Sequence, residues 1–208
     1  MKKVLIILTI LFLNFAYSQE DLVAKGFKAY ESGDYINAIK YYKQACDLNN
    51  GFGCFSLGFI YGDGLGVKKD NFKAAELYQK ACDLNEGLGC SNLGVAYENG
   101  YGVKKDNFKA VELYKKACGL DNGTGCANLG FMYEKGQNVK KDNFKVVELY
   151  QKACILNNGF GCSNLGLMFA LGKGVRKDTS KALEYFGKAC DLKNDLGCQA
   201  YAKLKEQF

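Results

Sequence analysis

The chain has 208 residues, and its 28 Lys/Arg against 22 Asp/Glu give a formal charge of +6. That charge is mild and reads as evenly spread, which gives no reason to expect a nucleic-acid partner. Histidine, proline and tryptophan are absent, and the lack of histidine removes the commonest general base and metal ligand.

The N-terminus opens with Lys2 and Lys3, then an apolar run from Val4 to Phe15, then Ala16-Tyr17-Ser18. This order predicts a secretory signal peptide over residues 1–18, cleaved before Gln19. The run is short for a membrane span, and no later stretch approaches the roughly 20 apolar residues one needs. A lipoprotein would need a cysteine at the cleavage site, and the first is Cys46. The expected product is exported, periplasmic or secreted, without a stable membrane span. Cleavage removes two lysines and leaves 26 − 22 = +4.

The rest of the chain repeats. Ten cysteines fall in five pairs, Cys46/Cys54, Cys82/Cys90, Cys118/Cys126, Cys154/Cys162 and Cys190/Cys198, each pair 36 residues from the next. A fixed period of this length predicts a solenoid of supersecondary units. In an exported chain the cysteines read as disulfides, since no close C-x2-C metal pair is present. Ten thiols allow on the order of a thousand pairings; the repetition favours the local pair within each copy. The predicted organisation is one domain, 19–208. A first unit (19–50) has a shorter turn, repeats follow at 51–86, 87–122, 123–158 and 159–194, and a capping helix (195–208) closes the chain.

Each copy alternates two amphipathic segments. In Asn71 to Cys82, the residues Ala74, Leu77, Tyr78 and Ala81 share one helical face. Asp70 is placed as its N-cap, and Asp34, Asp106, Asp142 and Asp178 hold the same position elsewhere. The helix is expected to end near Asn85 to Gly87, where a left-handed residue fits. The second segment, Leu88 to Tyr97, carries Cys90, Leu93, Gly94 and Tyr97 on one face. A mid-helix glycine costs about 1 kcal/mol, so Gly58, Gly94, Gly130 and Gly166 imply close approach of a neighbouring helix. Gly64/Gly66, Gly100/Gly102, Gly172/Gly174 and Gly136/Asn138 mark a turn that needs positive φ. The Lys-Lys or Arg-Lys pair before each Asp reads as solvated surface, and a row of basic knobs for an acidic partner is the alternative.

The motif Gly-x-Gly-Val-x-x-Asp…Lys-Ala-x-Glu-x-Tyr-x-Lys-Ala, on its 36-residue period, resembles the Sel1-like repeat, a relative of the tetratricopeptide repeat. With Cys-x7-Cys in every copy, the chain resembles the Helicobacter cysteine-rich protein (Hcp) family. The resemblance implies an all-α, right-handed solenoid of antiparallel helix pairs, with one disulfide tying adjacent helices in each repeat. Many such repeats have proline where this chain has Lys69, Lys105, Lys141 and Lys177, which is expected to loosen the loop.

Two functions follow. A helix-pair solenoid offers a long binding groove, and Asn92, Asn128 and Asn164 recur one position before the core leucine of the glycine-bearing helix. They are candidates for bonding an extended protein or peptide, possible peptidoglycan-derived peptides included; the alternative is that each bonds its own helix or a nearby loop. Tyr61, Tyr97, Tyr133 and Phe169 read as core rather than ligand-binding residues. The Hcp resemblance implies instead β-lactam binding with β-lactamase activity. The residues give that activity no catalytic set. No serine is followed three positions on by lysine, histidine is absent, and paired cysteines are not nucleophiles. The catalytic residues are therefore unassigned, no metal or cofactor is expected, and a monomer is the expected state.

Overall fold

The computed structural model describes residues 19–206, so the expected signal segment 1–18 lies outside the described residues. Within them the chain is all-α, a solenoid of helix pairs. The helices are α1 (19–31), α2 (Tyr35–Asp47), α3 (Gly51–Asp63), α4 (Asn71–Asp83), α5 (Gly87–Asn99), α6 (Asn107–Gly119), α7 (Gly123–Lys135), α8 (Asn143–Ile155), α9 (Gly159–Leu171), α10 (Thr179–Asp191) and α11 (Asp195–Lys205). None of them is long and apolar enough to cross a membrane. They form two compact bodies. The first holds the described chain to Gly89 with Tyr101–Val103, and the second holds Cys90–Gly100 with the chain from Lys104 on.

Local chemistry sets the helix ends. Asp34, Asp70, Asp106, Asp142 and Asp178 cap α2, α4, α6, α8 and α10, each accepting a backbone N–H from the first turn. The helices that follow use a second set of caps. Asn50, Asn122, Asn158 and Asn194 accept from Gly53, Gly125, Gly161 and Gly197. The residue just before each of these asparagines takes the left-handed conformation: Asn49 (φ 62°), Asp121 (56°), Asn157 (58°) and Lys193 (58°). A pair of adjacent residues thus divides the work of turning the chain and starting the next helix.

The longer loops use the paired glycines as expected. Gly100 and Gly102 sit at φ 79° and 68°, and Asn138 takes the second position at 56° in the copy that lacks the glycine. Gly102 also lies against the Asn71 carbonyl so closely that any Cβ would collide with it. The requirement at that position is therefore both conformational and steric.

Packing runs between sequence neighbours. In the first body Ala38, Tyr42, Leu57 and Ile60 form one core, with Tyr61, Leu65 and Val67 closing over it. In the second, Ala110, Val111, Tyr114, Leu129 and Met132 form one layer. Val146, Tyr150, Leu165 and Met168 form another. Each layer joins a helix to the next one in the chain.

Candidate functional site

The cysteines are structural. Cys46–Cys54, Cys118–Cys126, Cys154–Cys162 and Cys190–Cys198 are bonded, with S–S separations of 1.97–2.03 Å and Cα–Cα of 4.4–4.5 Å. Cys82 and Cys90 are also disulfide-bonded, and no described cysteine is free. The close Cα approach has a sequence cause. The residue before the first cysteine is alanine and the residue before the second is glycine, so Gly53 rests on the Ala45 methyl group, where a Cβ would lie 2.7 Å away. Gly125 on Ala117 and Gly161 on Ala153 repeat the contact. These small pairs let the helices cross closely enough for a bond between residues eight apart. Disulfides persist in oxidising compartments, which suits an extracytoplasmic setting.

The glycine-bearing helices carry the candidate site. Gly94 of α5 is covered by the ring of Tyr114 from α6, and a Cβ there would fall 2.6 Å from Tyr114 Cε1. Tyr78 covers Gly58, Tyr150 covers Gly130 and Phe186 covers Gly166 in the same way. The close approach of a neighbouring helix expected from the mid-helix glycines is thus made by an aromatic side chain of that helix, joined at Gly166 by the Ala182 carbonyl.

That ring brings a hydroxyl to the polar side of the glycine-bearing helices. Tyr114 donates to Glu98 Oε2 at 2.6 Å and is also hydrogen-bonded by Asn128. Tyr150 donates to Glu134 Oε2 at 2.9 Å. Burial, reinforced by the neighbouring carboxylate, pushes both phenols far up, so they stay neutral donors. Asn164 instead donates through Nδ2 to the Phe160 carbonyl of its own helix at 2.9 Å. Asn92 is half-buried and also has a partner. In the first body the equivalent position is Ser56, which bonds the Tyr42 hydroxyl.

The second body carries Glu98, Asn128, Glu134 and Asn164 at repeat spacing on α5, α7 and α9, all half-buried, and Tyr114 joins Glu98 to Asn128. Each asparagine uses part of its amide inside the fold, and an amide has further donor and acceptor capacity. Glu98 and Glu134 were not expected from the sequence. They recur in only two copies, with Gly62 and Ala170 at the equivalent positions, so periodicity does not single them out.

Tyr61, Tyr97, Tyr133 and Phe169 are half-buried and pack against the core layers. Each is faced by a lysine of the following helix: Lys73 at 3.9 Å from the ring centroid, Lys109 at 5.0 Å, Lys145 at 5.1 Å and Lys181 at 5.3 Å. The loop pairs Lys68/Lys69, Lys104/Lys105, Lys140/Lys141 and Arg176/Lys177 are all exposed.

Helix pairs on a 36-residue period, each with its own disulfide, define a stapled helical-repeat scaffold. The Sel1 repeat pattern matches residues 25–50, 51–86, 87–122, 124–158 and 160–194, and the chain belongs to the Sel1 repeat family. A Sel1 repeat protein from Oxalobacter formigenes superposes with a TM-score of 0.79 at 29% identity, covering 87% of this chain and 74% of that one. The Helicobacter pylori cysteine-rich protein B gives 0.52 at 41% identity, covering 64% of this chain and 96% of its own. Among curated relatives, β-lactamase HcpA of Helicobacter pylori strain J99 is 42% identical over 55 residues, 26% of this chain and 22% of HcpA. The chain spans about a fifth of the length of the curated relatives it matches.

Proposed function

We propose that this is an exported, disulfide-stapled scaffold that binds an extended protein or peptide segment along the polar row of its second body. The observation that carries the reading is that row. Asn128 and Asn164 alternate with Glu98 and Glu134, the carboxylates held by Tyr114 and Tyr150. Amides at repeat spacing can bond the backbone of an extended ligand, and the fixed carboxylates add a preference for N–H or cationic groups. The signal-like residues 1–18 and the disulfides support export to the periplasm or beyond, and peptidoglycan-derived peptides are among the ligands such a compartment offers.

The test uses the mature, oxidised protein as bait in periplasmic and culture-supernatant extracts. Asn92, Asn128 and Asn164 changed together to alanine are expected to abolish capture. The melting temperature should fall by no more than about three lost hydrogen bonds cost, since each asparagine gives up one partner inside the fold. Unchanged capture, or a much larger fall in melting temperature, would make the row structural.

A second reading, β-lactam binding and hydrolysis, is supported by the name of HcpA and its 42% identity over the aligned stretch. Turnover of a chromogenic cephalosporin by protein made in a host without lactamases is the measurement that decides it; no turnover removes this reading.

A further inference from the structure

The positive charge of this chain is concentrated at one turn of each repeat; Lys68–Lys73 carries 3 − 1 = +2 in the first body, and the second body has three such turns. The segments Lys104–Lys109, Lys140–Lys145 and Arg176–Lys181 carry nine cations and three aspartates, 9 − 3 = +6. That equals the formal charge of the whole chain, so everything outside them sums to zero. All three segments belong to the second body, at the N-terminal ends of α6, α8 and α10. Asp106, Asp142 and Asp178 are already committed as caps, each accepting backbone N–H groups. The described ion pairs use none of the nine cations.

Two of these segments, Lys104–Lys109 and Lys140–Lys145, hold the most exposed aromatic residues of the second body among the described residues; the third has Ser180 at that register. Phe108 and Phe144 are the second residues of α6 and α8, and they are 67% and 76% exposed. Phe72 (64%) and Ile36 (74%) occupy the same register in the first body. Apolar side chains this large usually bury; here the register repeats and the exposure with it. Beside Phe144 lies an open cavity of about 650 Å³ floored by Tyr133 and Val139 and rimmed by Lys140, Lys141 and Lys145. The equivalent cavity one repeat on measures about 590 Å³, floored by Phe169 and Val175 and rimmed by Arg176, Lys177 and Lys181.

We propose that this edge of the second body docks an acidic polypeptide segment bearing large apolar side chains. Its carboxylates meet the cations of successive loops, and its apolar groups pack on Phe108 and Phe144. Charge complementarity selects the acidic partner, because nine cations face only three carboxylates and those are engaged. The concave, aromatic-floored cavities suit individual side chains, whereas a lipid surface would call for a flat array. This surface is distinct from the Asn128/Asn164 row and stands or falls separately from it.

The test is fluorescence anisotropy with the full mature, oxidised protein and two labelled synthetic peptides. One alternates glutamate with leucine and phenylalanine; the other has lysine at every glutamate. The acidic peptide is expected to bind, weakening as salt rises. Phe108→Ser with Phe144→Ser is expected to weaken it at least tenfold, and so is Lys140→Glu with Lys141→Glu. Changing Asn128 and Asn164 to alanine should leave it unaffected. Equal binding of both peptides, or undiminished binding by either edge variant, overturns the proposal. So does stronger binding to phosphatidylglycerol vesicles than to the acidic peptide, which would make the edge a lipid surface. All four edge positions are exposed, so an unchanged melting temperature verifies that the variants fold.

Discussion

Tyr114 of α6 does two jobs with one side chain: its ring covers Gly94, and its hydroxyl donates to Glu98 Oε2 at 2.6 Å, four residues further along the same helix α5. Backbone approach and polar contact are therefore set by the same residue. Tyr114→Phe keeps the ring and removes the donor. It is expected to cost about 1–2 kcal/mol in urea unfolding, because Glu98 and Asn128 lose a shared partner. Tyr114→Ala, which also empties the space over Gly94, should cost about 3–5 kcal/mol.

Two glycine substitutions should have opposite signs. Gly94→Ala puts a methyl group against the Tyr114 ring and is expected to destabilise by about 1–3 kcal/mol despite its better helix propensity. At Gly119, in the last turn of α6, a Cβ meets nothing within 4 Å. Gly119→Ala should stabilise by about 0.4–1 kcal/mol. Thermal or urea denaturation of the two variants side by side checks both.

The repeat architecture was legible because each copy states it again. Aspartate before an amphipathic run marked five helix starts, and the Gly58, Gly94, Gly130 and Gly166 register required something packed tightly over it. The second set of caps was hidden in plain composition. Asn49-Asn50 and Asn157-Asn158 look like interchangeable turn residues, yet one adopts positive φ and its neighbour accepts the helix N–H. The partners of the asparagine row were illegible for a geometric reason. Tyr114 and Glu98 are 16 positions apart on different helices, and no local spacing rule joins them.

Alkaline pH should unfold the protein earlier than its disulfides suggest. Burial pushes the Tyr78 phenol up to about 12, and Tyr114 and Tyr150 are pushed up further in the same direction. Their folded pKa values exceed the unfolded value of about 10, so the unfolded chain releases protons first. The stability they contribute is complete below pH 10 and is lost as pH rises towards 12 and beyond. Tyrosinate absorbance and helical circular dichroism followed over that range should change together.

The disulfides should differ in accessibility. Cys54, Cys126 and Cys162 are fully buried, whereas Cys190 and Cys198 are half-buried. Graded reduction followed by alkylation and mass mapping should label Cys190 and Cys198 first. Changing Cys118 and Cys126 together to serine should cost about 2–3 kcal/mol, the loop-entropy value for so short a closure. The far-UV spectrum should stay helical.

The alanine–glycine contact beneath each staple bears on how the protein matures. Exported N-terminus first, as proposed above, the chain would expose Cys46 and then Cys54 only eight residues later, before Cys82 has arrived. Short loops close fastest. Each thiol therefore meets its native partner before any rival exists. Oxidative maturation should proceed copy by copy in export order, with little demand on an isomerase to reshuffle mispaired bonds.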